Sequence, residues 1–200
     1  FKLMFNGIIN FTGKVSRIIF KNNGSDLFIK SNIRFNKSDI GSSVSCDGVC
    51  LTLVSFKNNY SRFYLSNETL LRSKFKFLKI GDKINLEKAI KFGQKISGHF
   101  VLGHVDSIGK IIKIKKIHRS WILEIYIINK IHNLLVEKAS ICINGVSLTI
   151  SKLMKKSFQV SIIPYTLKLT NLLLLNKNDL VNIEIDILSK YIKKFLNEKK

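Results

Sequence analysis

Proline is nearly missing from this chain: Pro164 is the only one in 200 residues, so proline-rich linkers and polyproline segments are excluded. Cysteine is scarce and odd in number. Cys46, Cys50 and Cys142 form no C-x-x-C pair and no metal-ligand spacing, which argues against a disulfide framework or a zinc site and for a reducing cytoplasm. Long apolar runs are absent as well. Leu172 to Leu175 falls far short of the roughly 20 residues that span a bilayer, and Phe1 to Asn6 lacks the apolar region of a secretory signal. Acidic residues are few, 13 against 34 Lys and Arg, for a net charge of +21. Such a charge can mark a nucleic-acid binder. Here, however, 29 of the 34 cations are lysines spread along the chain. Abundant Lys, Asn, Ile and Phe share A/T-rich codons, and basic runs such as Lys113 to Lys116 carry no interleaved stacking aromatics. Composition therefore points to a globular protein that binds neither nucleic acid nor membrane.

What the chain does have is a repeat. Ser43-Val44-Ser45-Cys46-Asp47-Gly48-Val49-Cys50-Leu51-Thr52-Leu53 returns as Ser140-Ile141-Cys142-Ile143-Asn144-Gly145-Val146-Ser147-Leu148-Thr149-Ile150, 97 residues later. Asp-Gly and Asn-Gly between β-branched runs are strong signals for a hairpin with a type I′ turn, which needs two residues tolerant of positive φ. After each turn comes a small nucleophilic side chain, Cys50 or Ser147, then Leu and Thr. Gly7-Ile8-Ile9 matches Gly103-His104-Val105, 96 residues on, and the runs 82–87 and 179–184 match at 97. A period this long fits a duplicated domain rather than a solenoid. The units are expected at 1–99 and 100–187, followed by 188–200.

Within each unit the signals are mostly strand: 13–20, 26–29, 49–56 and 84–86, then 110–114, 121–128, 141–143, 146–153, 158–163 and 181–185. Short strands at this spacing predict an all-β fold of two small barrels. Helix is expected only briefly after Thr69 and Thr166, with Pro164 at a helix start. The last segment differs. Leu188, Tyr191, Ile192, Phe195 and Leu196 form the stripe of an amphipathic helix, with Asp186 placed as its cap and Lys199 and Lys200 near its negative end. That stripe must either close the second barrel or meet copies of itself.

Six stretches, in order along nearly the whole chain, resemble the riboflavin synthase family. They are Phe5-Asn6-Gly7-Ile8-Ile9, Asp47-Gly48-Val49-Cys50-Leu51-Thr52, Ser97-Gly98-His99-Phe100-Val101-Leu102-Gly103-His104-Val105, Asn144-Gly145-Val146-Ser147-Leu148-Thr149, Ile163-Pro164-Tyr165-Thr166-Leu167 and Val181-Asn182-Ile183-Glu184-Ile185-Asp186. The resemblance implies two tandem Greek-key β-barrels, a C-terminal helix that joins three subunits, and no cofactor or metal. It implies that two 6,7-dimethyl-8-ribityllumazine molecules exchange a four-carbon unit. Riboflavin and 5-amino-6-ribitylamino-2,4-pyrimidinedione are the products. Each barrel would hold one lumazine, with the working site between barrels of neighbouring subunits, and lumazine synthase is among the implied partners.

By the same resemblance, Cys50, His104, Ser147, Phe5 and Asp186 are the candidate catalytic residues. Substrate would be held by Gly7, Ile8, Ile9, Cys50, Leu51, Thr52, Gly103, His104, Val105, Ser147, Leu148 and Thr149. Tyr64, Leu65, Ser66, Asn67, Glu68 and Thr69 would assist in the first barrel. Lys138, Ile162, Ile163, Pro164, Tyr165, Thr166 and Leu167 complete the set. The chemistry suits these residue types, because the C7 methyl of the lumazine is acidic and needs only a modest base such as His104. Cys50, Ser147, Thr52 and Thr149 can hydrogen-bond the ring or act as nucleophiles. Cys46, Cys142 and His99 read as structural, His118 and His132 as loop residues, and Asp186 equally as cap or site residue. The chain departs from the family pattern at Asn6, where Thr is usual, at Asp47, where Asn is usual, and in the residues Phe1 to Leu3 that precede Met4. Two other readings remain: a lumazine-binding protein without the reaction, and a nucleic-acid-binding β-barrel driven by charge.

Overall fold

A computed structural model describes residues 4–198, leaving Phe1, Lys2, Leu3, Lys199 and Lys200 outside the described residues. It contains two closed antiparallel barrels of six strands each. The first is built from β1 (Phe11–Lys21), β2 (Gly24–Ser31), β3 (Ser43–Cys46), β4 (Val49–Lys57), β5 (Tyr60–Leu65) and β6 (Lys83–Lys88), in the order β1-β2-β5-β4-β3-β6. The second uses β7 (Ser107–Ile117), β8 (Ser120–Tyr126), β9 (Ser140–Ile143), β10 (Val146–Met154), β11 (Ser157–Ile162) and β12 (Leu180–Ile185), in the order β10-β11-β8-β7-β12-β9. Each expected strand is present. The strand β5, whose end had been read as part of a binding segment, is an addition.

The duplication extends to irregularities. Pairing slips between Val15 and Arg17 and between Ile111 and Lys113, and again between Leu53 and Ser55 and between Ile150 and Lys152. These bulges occupy corresponding strands and raise the local twist, which lets so few strands curl into a closed barrel. Closure hides every strand edge and encloses one apolar core per barrel. Leu27, Leu53, Phe63 and Ile84 fill the first, and Ile111, Leu123, Phe158 and Ile183 the second, all fully buried. At roughly 1.5–3 kcal/mol for each buried side chain, these interiors stabilise the fold.

Both hairpins turn as their Asp-Gly and Asn-Gly signals require. Asp47 and Gly48 have φ of 47° and 76°, Asn144 and Gly145 of 47° and 81°. The two turns also touch each other: a Cβ on Gly48 would lie 2.7 Å from the Gly145 nitrogen. The barrels therefore meet hairpin to hairpin, about a local twofold axis, and only glycine fits at the contact.

Short helices follow the strands. After β5 comes α1 (Asn67–Arg72), with Ser66 Oγ accepting from the Thr69 N–H as its cap. The short α2 (Asn129–His132), with no counterpart among the sequence signals, precedes β9, and α3 (Pro164–Leu169) carries Pro164 at its first turn. Last is α4 (Ile187–Glu198). Asp186 caps it, its Oδ1 accepting from Leu188 N at 3.0 Å, and Lys190 ties it to Asp106 on the second barrel at 2.7 Å. The helix does not close that barrel. Its stripe of Leu188, Tyr191, Ile192, Phe195 and Leu196 is 56–63% exposed.

Candidate functional site

Period-2 geometry places Cys50 and Thr52 on one face of β4, and Ser147 and Thr149 on the matching face of β10. Their neighbours Leu51 and Leu148 pack with the barrel cores, so the polar pairs point outward. The candidate sites are thus outer barrel faces, each covered by a strap of chain. The straps are exchanged between barrels. Gly7, from the start of the first repeat, lies on the second barrel, where its carbonyl accepts the Ser147 N–H at 2.8 Å. Gly103 lies on the first, where its carbonyl accepts the Cys50 N–H at 2.8 Å. Ile9 accordingly enters the second barrel's core and Val105 packs on the first. The structure thus brings His104 to the site of Cys50 and Ile8 to the site of Ser147.

A carboxylate anchors each strap. Glu87 accepts the backbone N–H groups of Asn6 and Gly7 at 2.7 and 3.0 Å. Glu184 accepts those of Leu102, Gly103 and His104 at 2.7, 2.9 and 3.1 Å. Burial outweighs these donors and pushes both carboxyls up to about 7, since charge is costly away from water. Between the straps Phe5 and Val101 exchange backbone hydrogen bonds at 2.8 and 3.1 Å. Their side chains are fully buried with Cys142, and Cys50 packs against this cluster. Phe5 thus sits between the two sites, below their surface. Cys46 and Cys142 are buried in apolar clusters, with thiol pKa values raised by desolvation.

A polar zipper holds the barrels in register beneath the straps. Asn85 N donates to Asp47 Oδ1 at 2.7 Å and Asn182 N to Asn144 Oδ1 at 2.9 Å. Across the axis, Asn85 Nδ2 reaches the Asn144 carbonyl and Asn182 Nδ2 the Asp47 carbonyl, both at 2.9 Å. Asp47 departs from the Asn of the second barrel, and its charge meets Lys74 Nζ at 2.8 Å.

The remaining predicted residues divide by surroundings. Ile8, His104, Thr52, Thr149, Ile163 and Tyr165 are exposed on or near the outer faces, and Cys50 and Ser147 are half-buried. Leu65, Ile162 and Leu167 belong to the cores. Ser66 and Thr69 are engaged in the α1 cap, where their hydroxyls lie 3.0 Å apart. Tyr64 donates its hydroxyl hydrogen to the Asn23 carbonyl, and Glu68 pairs with Arg72. Lys138 is exposed with its backbone at φ 71°.

One residue read as structural lies against the candidate site residue Ser147. His99 is 8% exposed, and its Nδ1 lies 2.7 Å from Ser147 Oγ. Burial lowers its pKa, while the nearby Asp186 carboxylate raises it. Asp186 is therefore both helix cap and neighbour of the site. The sequence signal was the Gly98-His99 pair beside the second glycine motif. A crevice of about 760 Å³ lined by Lys14, Lys74, Leu78, Asn171 and Asp179 lies between the barrels, away from both Cys50 and Ser147.

This architecture has relatives. The lumazine binding domain family matches twice, at residues 6–89 and 102–186. The chain is 37% identical to riboflavin synthase of Actinobacillus pleuropneumoniae over 98% of its own length and 91% of that protein. It is 34% identical to that of Photobacterium leiognathi (96% and 89%) and 32% identical to that of Bacillus subtilis (98% and 91%). Its fold superposes on crystal structures of LumP. The complex with 6,7-dimethyl-8-(1'-D-ribityl) lumazine gives a TM-score of 0.79 at 24% identity, over 90% of this chain and 98% of that one. The complex with riboflavin gives 0.82 at 23%, over 91% and 99%. With two lumazine-binding domains and relatives matched over nearly their whole length, the chain belongs to the riboflavin synthase family.

Proposed function

We propose that this chain catalyses the dismutation of two 6,7-dimethyl-8-ribityllumazine molecules, with four carbons passing from one to the other to give riboflavin and 5-amino-6-ribitylamino-2,4-pyrimidinedione. The observation that carries this reading is the pair of cross-strapped outer faces, alike in backbone and unlike in side chains. Two copies of one flat heterocycle need two similar cradles, and aligning bound reactants can lower a barrier by about 7–11 kcal/mol. Cys50 with His104 on one face, and Ser147 on the other, give the two copies different surroundings. One can then lose a C7-methyl proton to a modest base while the other accepts the new bond. The exposed neighbours Thr52, Thr149, Ile163 and Tyr165 would hold ring edge and ribityl chain.

Purified protein incubated with this lumazine should form riboflavin with two substrates consumed per product, followed by absorbance and chromatography. Binding without turnover would instead make the chain a lumazine carrier.

The same reading takes units of 1–99 and 100–187 as the substrate-binding barrels and 188–200 as a trimerisation helix, with lumazine synthase as a neighbour in the cytoplasm. Outer faces open to solvent suit a site completed by a neighbouring subunit's barrel. The stripe on α4 supplies the contact surface, since five large apolar side chains more than half exposed on one short helix are a poor match for water. Removing 188–200 should convert a trimer into monomers in sedimentation velocity; an unchanged trimer would take the helix out of the interface.

A further inference from the structure

We propose that the crevice between the two barrels is a binding site for a small organic anion. A flat apolar body would lie between the repeats, with its carboxylate or phosphate held by lysines of the first. The crevice encloses about 760 Å³, away from both Cys50 and Ser147, and such a volume is usual for small-molecule pockets. No step of the reaction proposed above uses it.

Its frame is symmetric. Phe77, Leu78 and Asp82 line one side; Leu174, Leu175 and Asp179, their repeat mates 97 residues on, line the other. The walls are two short 3₁₀ turns, Lys74–Phe77 and Asn171–Leu174. Each is tied down twice. Ser73 Oγ accepts from Phe75 N and Thr170 Oγ1 from Leu172 N, both at 3.3 Å. Lys74 N and Asn171 N donate to the side chains of Asn182 and Asn85, each on the opposite barrel. The walls are therefore preformed, and little ordering opposes binding. Yet they leave Phe77 and Leu174 56% and 55% exposed. A single exposed apolar side chain needs no explanation. Two at matching places on one concave surface, beside Leu78, Leu175 and Leu180, form an apolar slot.

The charge, by contrast, is one-sided. Lys74, Lys79 and Lys83 line the first repeat's half, where the second has Asn171, Asn176 and Leu180 at the matching positions. Lys14 of β1 adds a fourth cation to the lining. It stands directly opposite Lys83 in the pairing of β1 with β6, and like charges so placed destabilise a sheet. The carboxylates present are already engaged. Buried Asp47 takes up Lys74, and Asp82 and Asp179 each accept a backbone N–H at 2.8 Å, from Lys79 and Asn176. Lys14, Lys79 and Lys83 form no ion pair among the described residues. Lys76 Nζ, 5.9 Å from the centre of the Phe77 ring, brings one more positive charge close by. A cleft with an excess of one sign and apolar walls concentrates its field on a ligand of the other sign. An amphipathic anion answers both halves; a neutral or cationic ligand leaves the lysines repelling one another.

The test titrates the full-length protein with four naphthalene probes. 1-Naphthyl phosphate and 1-naphthoate should each bind once per chain with Kd of about 0.1–1 mM, the range open to ligands this small. The uncharged naphthalen-1-ylmethanol should bind at least about tenfold more weakly, the scale of one lost charge-assisted hydrogen bond. Naphthalen-1-ylmethylammonium should not bind. Whichever anion binds more tightly names the acid group. Methyl NMR locates the site: Leu174 and Leu175 signals should move, while those of Ile8 and Ile163 on the outer faces stay. Lys79→Gln with Lys83→Gln should weaken both anions about tenfold or more and leave the alcohol unchanged, with an unaltered urea midpoint showing that the fold is kept. Phe77→Ser should weaken all three. The proposal is overturned if the alcohol matches the anions, if binding does not saturate by about 10 mM, or if the double variant binds as the wild type does. It is overturned equally if the shifts fall on the outer faces. Leu174 shifts that follow protein concentration without any probe would give the crevice to a second copy of the chain, and overturn it too. None of these readouts needs turnover, so the result is independent of the reaction.

Discussion

Replacing Lys74 with methionine should destabilise the folded chain by about 3–5 kcal/mol, the usual cost of leaving one charge of a buried pair alone. Asp47 is completely buried at the tip of the first hairpin, and its Oδ2 meets Lys74 Nζ at 2.8 Å. Its Oδ1 accepts from Asn85 N at 2.7 Å and Asn171 Nδ2 at 2.9 Å. Desolvation pushes the Asp47 pKa up, and the Lys74 charge is the main force opposing it. Local symmetry supplies the control. Asn144 and Asn171 occupy the places of Asp47 and Lys74 around the axis, and their backbone nitrogens and side chains make matching bonds: Lys74 N donates to Asn182 Oδ1 at 2.8 Å, Asn171 N to Asn85 Oδ1 at 2.7 Å. The second barrel therefore runs a neutral version of the same joint. Combining Asp47→Asn with Lys74→Met should recover most of the loss, measured by urea unfolding at pH 7.

The pH dependence has a definite sign. Without Lys74 the folded-state pKa of Asp47 lies still further above its unfolded value, so the folded form binds the proton more tightly. Stability is then greatest below the unfolded pKa and falls as pH rises through the folded one. The deficit of Lys74→Met should accordingly shrink on acidification. A single variant within about 1 kcal/mol of wild type at pH 7, with no recovery in the double variant, would show that the pair contributes only as a neutral hydrogen bond would.

The same joint marks where sequence reading succeeds and where it stops. Asp47-Gly48 and Asn144-Gly145 were legible as turns because positive φ is a property of two adjacent residues. The strands were legible for the same reason, as short β-branched or aromatic runs bounded by turn residues. The replacement of Asn by Asp in the first turn looked harmless because its partner, Lys74, lies elsewhere in the chain and no local pattern connects them. Strap exchange was hidden in the same way. Aligning the repeats pairs Gly7 with Gly103 but does not say which barrel each covers, and the glutamates that anchor them, Glu87 and Glu184, appeared only as the ends of matching strands. His99 was set aside as a structural residue of the junction between the repeats; Ser147 reaches it through the fold. On α4 the stripe was plain, yet only the closed six-stranded barrel shows that the helix is not what completes it.

Strap exchange also leads to a second large effect. Gly103→Ala should lower riboflavin formation by at least about 10²-fold, a loss of the size that misplacing reacting groups by about 1 Å can cause. Gly103 has φ 76°, where an L-residue pays roughly 1–2 kcal/mol. A Cβ there would sit 2.6 Å from Cys50 Cβ and 2.7 Å from Cys50 N. Neither can give way, because Cys50 is held in β4 and its N–H bonds to the Gly103 carbonyl at 2.8 Å. The strap must lift, carrying His104 with it. Gly7 faces the same geometry on the other barrel, with φ 71° and a Cβ position 2.7 Å from Ser147 Cβ. The two substitutions should therefore be told apart by binding rather than by rate. Titration with the lumazine under non-turnover conditions should show two sites per chain in the wild type. Gly103→Ala should keep the site of Ser147, and Gly7→Ala that of Cys50. If either variant filled both sites with affinities within twofold of wild type, the straps would not be part of the substrate sites. If each lost both, the straps would act on the joint between the barrels, not on the faces they cover. Loss of one site in each, with turnover abolished in both, is what a reaction between two differently held copies of one molecule requires.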